Sequence, residues 1–364
     1  MVNESSSSRP SVGIIGLGFG AQVHLPAFRS EGWDIGGVCG RDREKTRKAA
    51  DAAEVERIYT DPMELIRRDD ISAVAISTPP RSHHPLVMAA LAAGKHVICE
   101  KPFAMDAREA AEMRDAAAKQ QRTAMVAHEF RYAPQRRYIK QLLADGYIGR
   151  FTLCTIELFL DRYVLAEPRP LTWQALRAEG GGLLGALGSH YVDGLRDWFG
   201  EIAAVSGRLL TLRPDVRDAA SGKVATAETD DTFSCTFNFV NGGMVSMIAS
   251  FAATPARGTR IAVMGDEGTL LAEQAGPNPT DDGVVVASRK GAAFAQLETP
   301  AQFKVPTDAR DHRLMAFRML VKDFTKGIAQ GSSPSPNFTD GWQCQRVLDA
   351  VRESSASGRT VQLT

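Results

Sequence analysis

Val12-Gly13-Ile14-Ile15-Gly16-Leu17-Gly18-Phe19-Gly20-Ala21 runs an apolar segment directly into a Gly-x-Gly-x-x-Ala turn. Residues 12–15 offer water no polar side chain, as expected of a strand buried on both faces. Residues 22–30 then follow helical spacing. Strand, glycine turn and helix in that order form the phosphate-binding opening of a doubly wound α/β sheet. Gly16 allows the tight turn, Gly18 lets backbone approach a pyrophosphate, and Ala21 lets helix and strand pack closely, with Phe19 and Gly20 completing the loop. The helix start adds N–H groups and a partial positive charge for the phosphates.

The same alternation continues downstream. Apolar runs at 35–39, 73–76, 96–99 and 123–127 are separated by helical candidates at 43–53, 84–93 and 107–120. Such strands need cover on both faces, and right-handed crossovers supply it, so residues 11–128 are expected to form a Rossmann-type doubly wound parallel sheet. The serine tract ahead of it, Ser5 to Ser8, has nothing to bury and makes residues 1–10 a flexible leader. Beyond 128 the pattern changes. Helices are expected at 134–145 and 188–198, and strands at 232–240 and 244–251 alternate with period two around Asn241-Gly242, the strongest short hairpin signal. A second hairpin, 260–271, turns through Gly265-Asp266-Glu267-Gly268. Residues 280–282 and 332–336 read as loops. Residues 129–364 are therefore expected to be an α+β domain with a largely antiparallel open sheet, used for substrate binding and oligomerisation. A broad apolar-patterned face around 232–251 needs cover, which predicts self-association.

Composition removes other functions. The 364 residues are 44% hydrophobic and 24% charged, enough apolar material for about two folded domains. Lys plus Arg (43) equals Asp plus Glu (43), so the basic excess of a nucleic-acid or anionic-membrane binder is missing. Cys39, Cys99, Cys154, Cys235 and Cys344 stand far apart, without CxxC or zinc-finger spacing, which points to neither a disulfide frame nor a metal site. The N-terminal stretch lacks the apolar core of a secretory signal, and no run of about 18 apolar residues could span a membrane. A cytoplasmic location is expected. The P-loop, zincin and serine-hydrolase motifs do not occur.

The end of the second strand, Val38-Cys39-Gly40-Arg41-Asp42, bears on the cofactor. An acidic residue there accepts hydrogen bonds from the adenosine ribose and favours NAD. Gly40 removes that carboxylate and Arg41 is placed to pair with a 2′-phosphate, which sets NADP ahead of NAD. Asp42 keeps NAD open, since one residue of register makes it the ribose acceptor.

Cys99-Glu100-Lys101-Pro102 follows the fifth strand, where a doubly wound sheet opens its ligand crevice. Together with Ser77-Thr78-Pro79-Pro80, Gly94-Lys95-His96-Val97, Glu129-Phe130-Arg131-Tyr132, Gly180-Gly181-Gly182 and Gly188-Ser189-His190-Tyr191-Val192-Asp193, it resembles the glucose–fructose oxidoreductase, inositol dehydrogenase and rhizopine-catabolism family (Gfo/Idh/MocA) over most of residues 11–270. The resemblance implies an NAD(P)-dependent oxidoreductase acting on a sugar, cyclitol or related polyol, with an open sheet that builds dimers or tetramers. It implies cofactor contacts from Ser77, Thr78, Pro79, Glu100 and Lys101, and often a cis peptide before Pro102. Lys101 has an independent rationale. A cation at a strand's carboxyl end can stabilise developing alkoxide during hydride transfer, although a surface salt bridge would use the same residue. His190 is the acid/base candidate because an imidazole exchanges protons near neutrality. Asp193, one turn later, either orients His190 or supports the helix. Many dehydrogenase members carry Asp four residues before this His; here the residue is Ala186, so the Lys–Asp–His set is incomplete.

The remaining candidates are His83, which either faces the nicotinamide or begins a helix, and Arg131, which either lines the domain junction or anchors Glu129. Tyr163 and Trp173 offer aromatic faces to a sugar ring, or simply core. Two further readings stand beside dehydrogenation: a redox-neutral, NAD-dependent glycosidase, and a non-catalytic dinucleotide or sugar sensor. The missing carboxylate at 186 brings the sensor closer, whereas Lys101 and His190 argue for an enzyme.

Overall fold

The apolar runs of the first third become parallel strands because neither of their faces tolerates water. In a computed structural model describing residues 9–164, 168–275, 283–304 and 308–363, they form β1 (Ser11–Ile15), β2 (Asp34–Cys39), β3 (Ile58–Tyr59), β4 (Ala73–Ile76), β5 (His96–Cys99) and β6 (Ala124–Val126). Most of the serine leader, residues 1–8, and the loop at 280–282 lie outside the described residues. The six strands lie in the order β3-β2-β1-β4-β5-β6, all parallel. Helices α1 (Leu25–Ser30), α2 (Arg43–Ala52), α3 (Pro62–Ile66), α4 (His83–Ala92) and α5 (Ala107–Lys119) return the chain between them. Asp42, Asp61 and Asp106 cap α2, α3 and α5, each accepting from a backbone N–H in the first turn. Strand order reverses between β1 and β4, so the ligand crevice of this fold opens at their carboxyl ends.

The second unit contains α6 (Pro134–Ala144), β7 (Phe151–Phe159), β8 (Arg169–Pro170), α7 (Ser189–Phe199), β9 (Ile202–Leu210), β10 (Asp215–Arg217) and β11 (Val224–Thr226). Strands β12 (Thr232–Phe239), β13 (Met244–Ser250), β14 (Gly258–Gly265), β15 (Gly268–Gln274), β16 (Val284–Arg289) and β17 (Ala295–Leu297) follow, then α8 (Leu314–Gln330), α9 (Phe338–Ser357) and β18 (Val361–Gln362). Nine of the strands form one sheet, ordered β17-β16-β15-β14-β7-β13-β12-β9-β18 and antiparallel except where β7 meets β13. Both expected hairpins are present, β12 with β13 and β14 with β15. The inward side chains Phe233, Cys235, Phe237, Val245, Met247 and Ala249 are buried in a core shared with α7 and α9.

Helix α8 returns to the first sheet. Its Leu314, Phe317, Leu320, Val321 and Phe324 are buried in one core with Val12, Ile14, Val23 and Phe28. All five cysteines are buried and unpaired, and among the described residues no helix is long and apolar enough to cross a membrane.

Candidate active site

Gly16 sits at φ +109°, a conformation an L side chain rarely adopts, and a β-carbon there would lie 2.6 Å from the Ser77 carbonyl oxygen. A methyl group on Gly20 would collide with Ser77 Oγ. Ser77 Oγ in turn lies 3.1 and 3.2 Å from the Ile15 and Gly16 carbonyl oxygens. Gly20 is thus packed closely against Ser77 and Ile14, and Ala21 beside it is half-buried. Above Gly18 there is open space, with no heavy atom within 4 Å of an added β-carbon. A wide turn with π-type hydrogen bonding, Gly20–His24, runs into α1. A bare, open glycine at the crevice side and a helical segment beginning behind it suit a dinucleotide pyrophosphate. At the end of β2, a side chain on Gly40 would collide with Leu17, so no acceptor fits there. Asp42 spends one oxygen on the Lys45 N–H at 3.0 Å, while Arg41 is exposed.

The carboxyl ends of β5 and β6 bring the polar groups together. Glu100 is buried; its Oε1 accepts from His24 Nε2 at 2.8 Å and its Oε2 from the Lys101 N–H at 3.2 Å. Burial alone would raise its pKa, but the His24 hydrogen bond and the Lys101 charge outweigh burial and lower it. The glycine turn and the lysine loop are thus tied through His24 and Glu100, neither pairing being visible in the sequence pattern. The Lys101–Pro102 peptide is cis. Lys101 Nζ donates to the Ala186 carbonyl at 3.0 Å, so position 186 lies beside the lysine but supplies a backbone oxygen instead of a carboxylate.

His190 enters from α7, 1% exposed, with Nε2 3.9 Å from Glu129 Oε1. Its ring stacks on Phe130 at 3.8 Å and 6°, edge-on to His128 at 5.6 Å. Burial, reinforced by the Lys101 charge, pushes the His190 pKa well down and keeps the ring neutral. Both nitrogens of His190, both of His128 and Oε2 of Glu129 are buried without hydrogen-bond partners. Unsatisfied groups in such number are costly unless they serve a ligand or a proton. Burial, followed by the Glu100 charge, raises Glu129 to about 8. His128 and Glu129 follow β6, and the run His128-Glu129-Phe130 between a strand and a helix is the sequence signal for them.

Several expected site residues have other occupations. His83 begins α4 and is fully buried, its nitrogens 2.8 Å and 3.2 Å from the Thr78 and Phe103 carbonyl oxygens, so it braces two loops. Thr78 also meets Ser82 Oγ at 2.7 Å, and Pro79 leads into the turn at Pro80–Ser82. Arg131 and Asp193 are paired with each other, Nε to Oδ2 at 2.5 Å and Nη2 to Oδ1 at 2.7 Å. Arg131 also donates to Asp197 at 3.0 Å and Ser335 at 2.6 Å, which leaves this buried guanidinium little for a substrate. Asp193 therefore does not orient His190. Tyr163 is buried under the Arg169 guanidinium at 3.9 Å, with its hydroxyl 3.5 Å from Gln174 Oε1. Trp173 is half-buried in a turn of the segment leading to Gly180, where a β-carbon would press on Pro80 of the first domain at 2.6 Å.

Residues 11–128 match the oxidoreductase family with an NAD-binding Rossmann fold, Gfo/Idh/MocA, and residues 136–271 match a Gfo/Idh/MocA C-terminal domain. The chain belongs to the Gfo/Idh/MocA oxidoreductase family. It is 29% identical to levoglucosan dehydrogenase of Pseudarthrobacter phenanthrenivorans, over 95% of this chain and 96% of that one. It is 26% identical to scyllo-inositol 2-dehydrogenase (NADP(+)) of Bacillus subtilis, over 97% and 95%. Among solved structures, an oxidoreductase domain protein from Kribbella flavida superposes with TM-score 0.88 at 30% identity, covering 98% of this chain and all of the other (100%). Levoglucosan dehydrogenase in complex with NADH and levoglucosan superposes with TM-score 0.87 at 26% identity, covering 98% and 99%. As a Gfo/Idh/MocA member the chain is an oxidoreductase with an NAD-binding Rossmann fold.

Proposed function

We propose that the protein moves hydride between a nicotinamide and a carbinol or carbonyl carbon of a sugar, cyclitol or related polyol. NADP(H) is the preferred cofactor and NAD(H) the alternative. The observation that carries this reading is the meeting of Lys101, His190 and Glu129 at the carboxyl ends of β5 and β6, beside the open glycine loop. Gly16, Gly18, Phe19, Gly20 and Ser77 would hold the pyrophosphate side, with Glu100 and Lys101 toward the nicotinamide. Bound there, the nicotinamide supplies the hydride acceptor or donor.

The protein's own groups handle the proton. Lys101 spends one of its three donors on Ala186 and has donors left for a substrate hydroxyl. Its charge stabilises negative charge growing on that oxygen as the C–H bond is lost. His190, held neutral and flat against Phe130, is in the form that accepts the hydroxyl proton. Sugar and cyclitol substrates are supported by relatives named levoglucosan, D-apiose and scyllo-inositol dehydrogenases. Those dehydrogenase names favour net redox chemistry over a redox-neutral glycosidase, and a sensor needs no proton-transfer pair. The NADP preference is supported by Arg41, exposed beyond Gly40, while Asp42 is engaged in capping α2. A panel of polyols, aldoses, ketoses and glycosides with both cofactors tests the reading: stoichiometric NAD(P)H change with at least one polyol or ketose is expected. Glycoside cleavage with cofactor absorbance returning to its start would refute it.

A further inference from the structure

The neutral His190 ring has no carboxylate at position 186 to share its proton, and Asp193 is committed to Arg131. The carboxyl group that does face it is Glu129. Its Oε1 is 3.9 Å from His190 Nε2, both side chains are almost wholly enclosed (6% and 1% exposed), and Glu129 Oε2 has no partner. At 3.9 Å the two groups stand at ion-pair distance. The imidazole cannot swing away, because Phe130 lies flat against it.

We infer that Glu129 is the positioning residue of His190, taking up and returning the proton that the imidazole exchanges with substrate. The inference rests on the hydride-transfer reading above. In the oxidative direction the substrate O–H bond breaks as its C=O bond forms, and the C–H electron pair leaves with the hydride to the nicotinamide. The hydroxyl proton goes to one ring nitrogen of His190, and a proton on the imidazolium passes to the Glu129 carboxylate. In the reductive direction protonated Glu129 returns it. Oxidation thus needs Glu129 ionised at the outset, and reduction needs it protonated.

The groups around Glu129 decide where that change falls. Glu100, from the end of β5, opposes its ionisation, whereas Lys101 from the same strand end and Arg313 from the start of α8 favour it. His190 faces it from α7, with His128 and, from α6, Arg136 acting on that ring. Burial and Glu100 prevail, which places the ionisation at about 8. Oxidative turnover should therefore rise with pH through this region while reductive turnover falls.

The test uses the full chain labelled with ¹⁵N-histidine, wild type and Glu129→Gln, titrated from pH 6 to 10, with the His190 resonance assigned by its loss in His190→Asn. The His190 nitrogens should show a step near pH 8 in wild type and none in Glu129→Gln. With a verified sugar or polyol, Glu129→Gln should flatten the pH profiles of kcat in both directions and lower kcat by at least about 10-fold, with KM for cofactor little changed. A missing step in wild type, a step surviving in Glu129→Gln, or an unchanged kcat profile overturns the pairing. Turnover without the step refutes the pairing alone. A step without turnover on any substrate refutes hydride transfer, and with it the role given to the pair.

Discussion

Replacing Arg131 with Met separates a substrate-binding arginine from one that holds the two domains' helices together. Arg131 makes four hydrogen bonds of 2.5–3.0 Å to Asp193, Asp197 and Ser335, and Asp340 Oδ1 is a further 3.5 Å neighbour. The Arg131 and Asp193 side chains are 9% and 1% exposed, so water cannot take over when one is removed. Met retains much of the stem's packing but strands Asp193, with Asp197 and Asp340 close by. Breaking a buried pair from one side costs about 3–5 kcal/mol, against about 0–1 kcal/mol for an exposed pair. With a urea slope near 3 kcal/mol/M, the unfolding midpoint should fall by roughly 1–1.7 M. Urea melts followed by circular dichroism and tryptophan fluorescence would measure it. Asp193→Leu added to Arg131→Met should recover part of the loss, because it removes the orphaned charge. A midpoint unchanged within about 0.2 M, combined with a raised KM for the sugar, would refute the structural assignment and return Arg131 to the substrate pocket.

Lys101→Ala and His190→Ala should each bind cofactor nearly normally, by fluorescence titration, yet lose at least about 10²-fold in turnover, the scale of lost general acid–base catalysis; wild-type turnover in both would remove them from the chemistry. Arg41→Ala should weaken NADP by about 10- to 150-fold, the worth of a charge-assisted contact of roughly 1.5–3 kcal/mol, and leave NAD nearly unchanged. Equal losses for both cofactors would move the preference to Asp42 and NAD. Self-association is expected through the outer face of β12 and β13, where Met244 and Ile248 are 39% and 40% exposed. Light scattering at micromolar concentration should find an oligomer that Ile248→Arg reduces, and a wild-type monomer would count against that surface.

The first sheet's longer strands were legible because each is short, mostly apolar and soon followed by a helix, so local pattern and global position agree. The two hairpins were legible for a similar reason, since Asn241-Gly242 and Gly265 to Gly268 join neighbours in sequence. What escaped depends on distance. Strand β3 is only two residues long. The partners of β7 in the sheet, β13 and β14, lie far along the chain. The apolar stripe of α8 fits the first domain's core as well as it would any other, and nothing in Leu314, Phe317 or Phe324 says which core it enters. At the site, the motifs around Lys101 and His190 gave the residues but not their partners. Asp193 one turn from His190 suggested a pair, yet Arg131, 62 positions away, claims it. Glu129 and His24 matter through burial and through contacts spanning 61 and 76 positions, to His190 and Glu100, which residue type alone does not encode.

In the proposed reaction hydride passes directly between a sugar or polyol carbon and the nicotinamide held over the glycine loop. The most direct test starts from the best substrate of the panel, deuterated at the carbinol carbon that becomes carbonyl, in ordinary water with the preferred oxidised cofactor. Mass spectrometry of the reduced cofactor should find one deuterium per molecule, in stoichiometric amount with the keto product. Reduced cofactor carrying no deuterium, or product formed with no reduced cofactor remaining, would contradict the account.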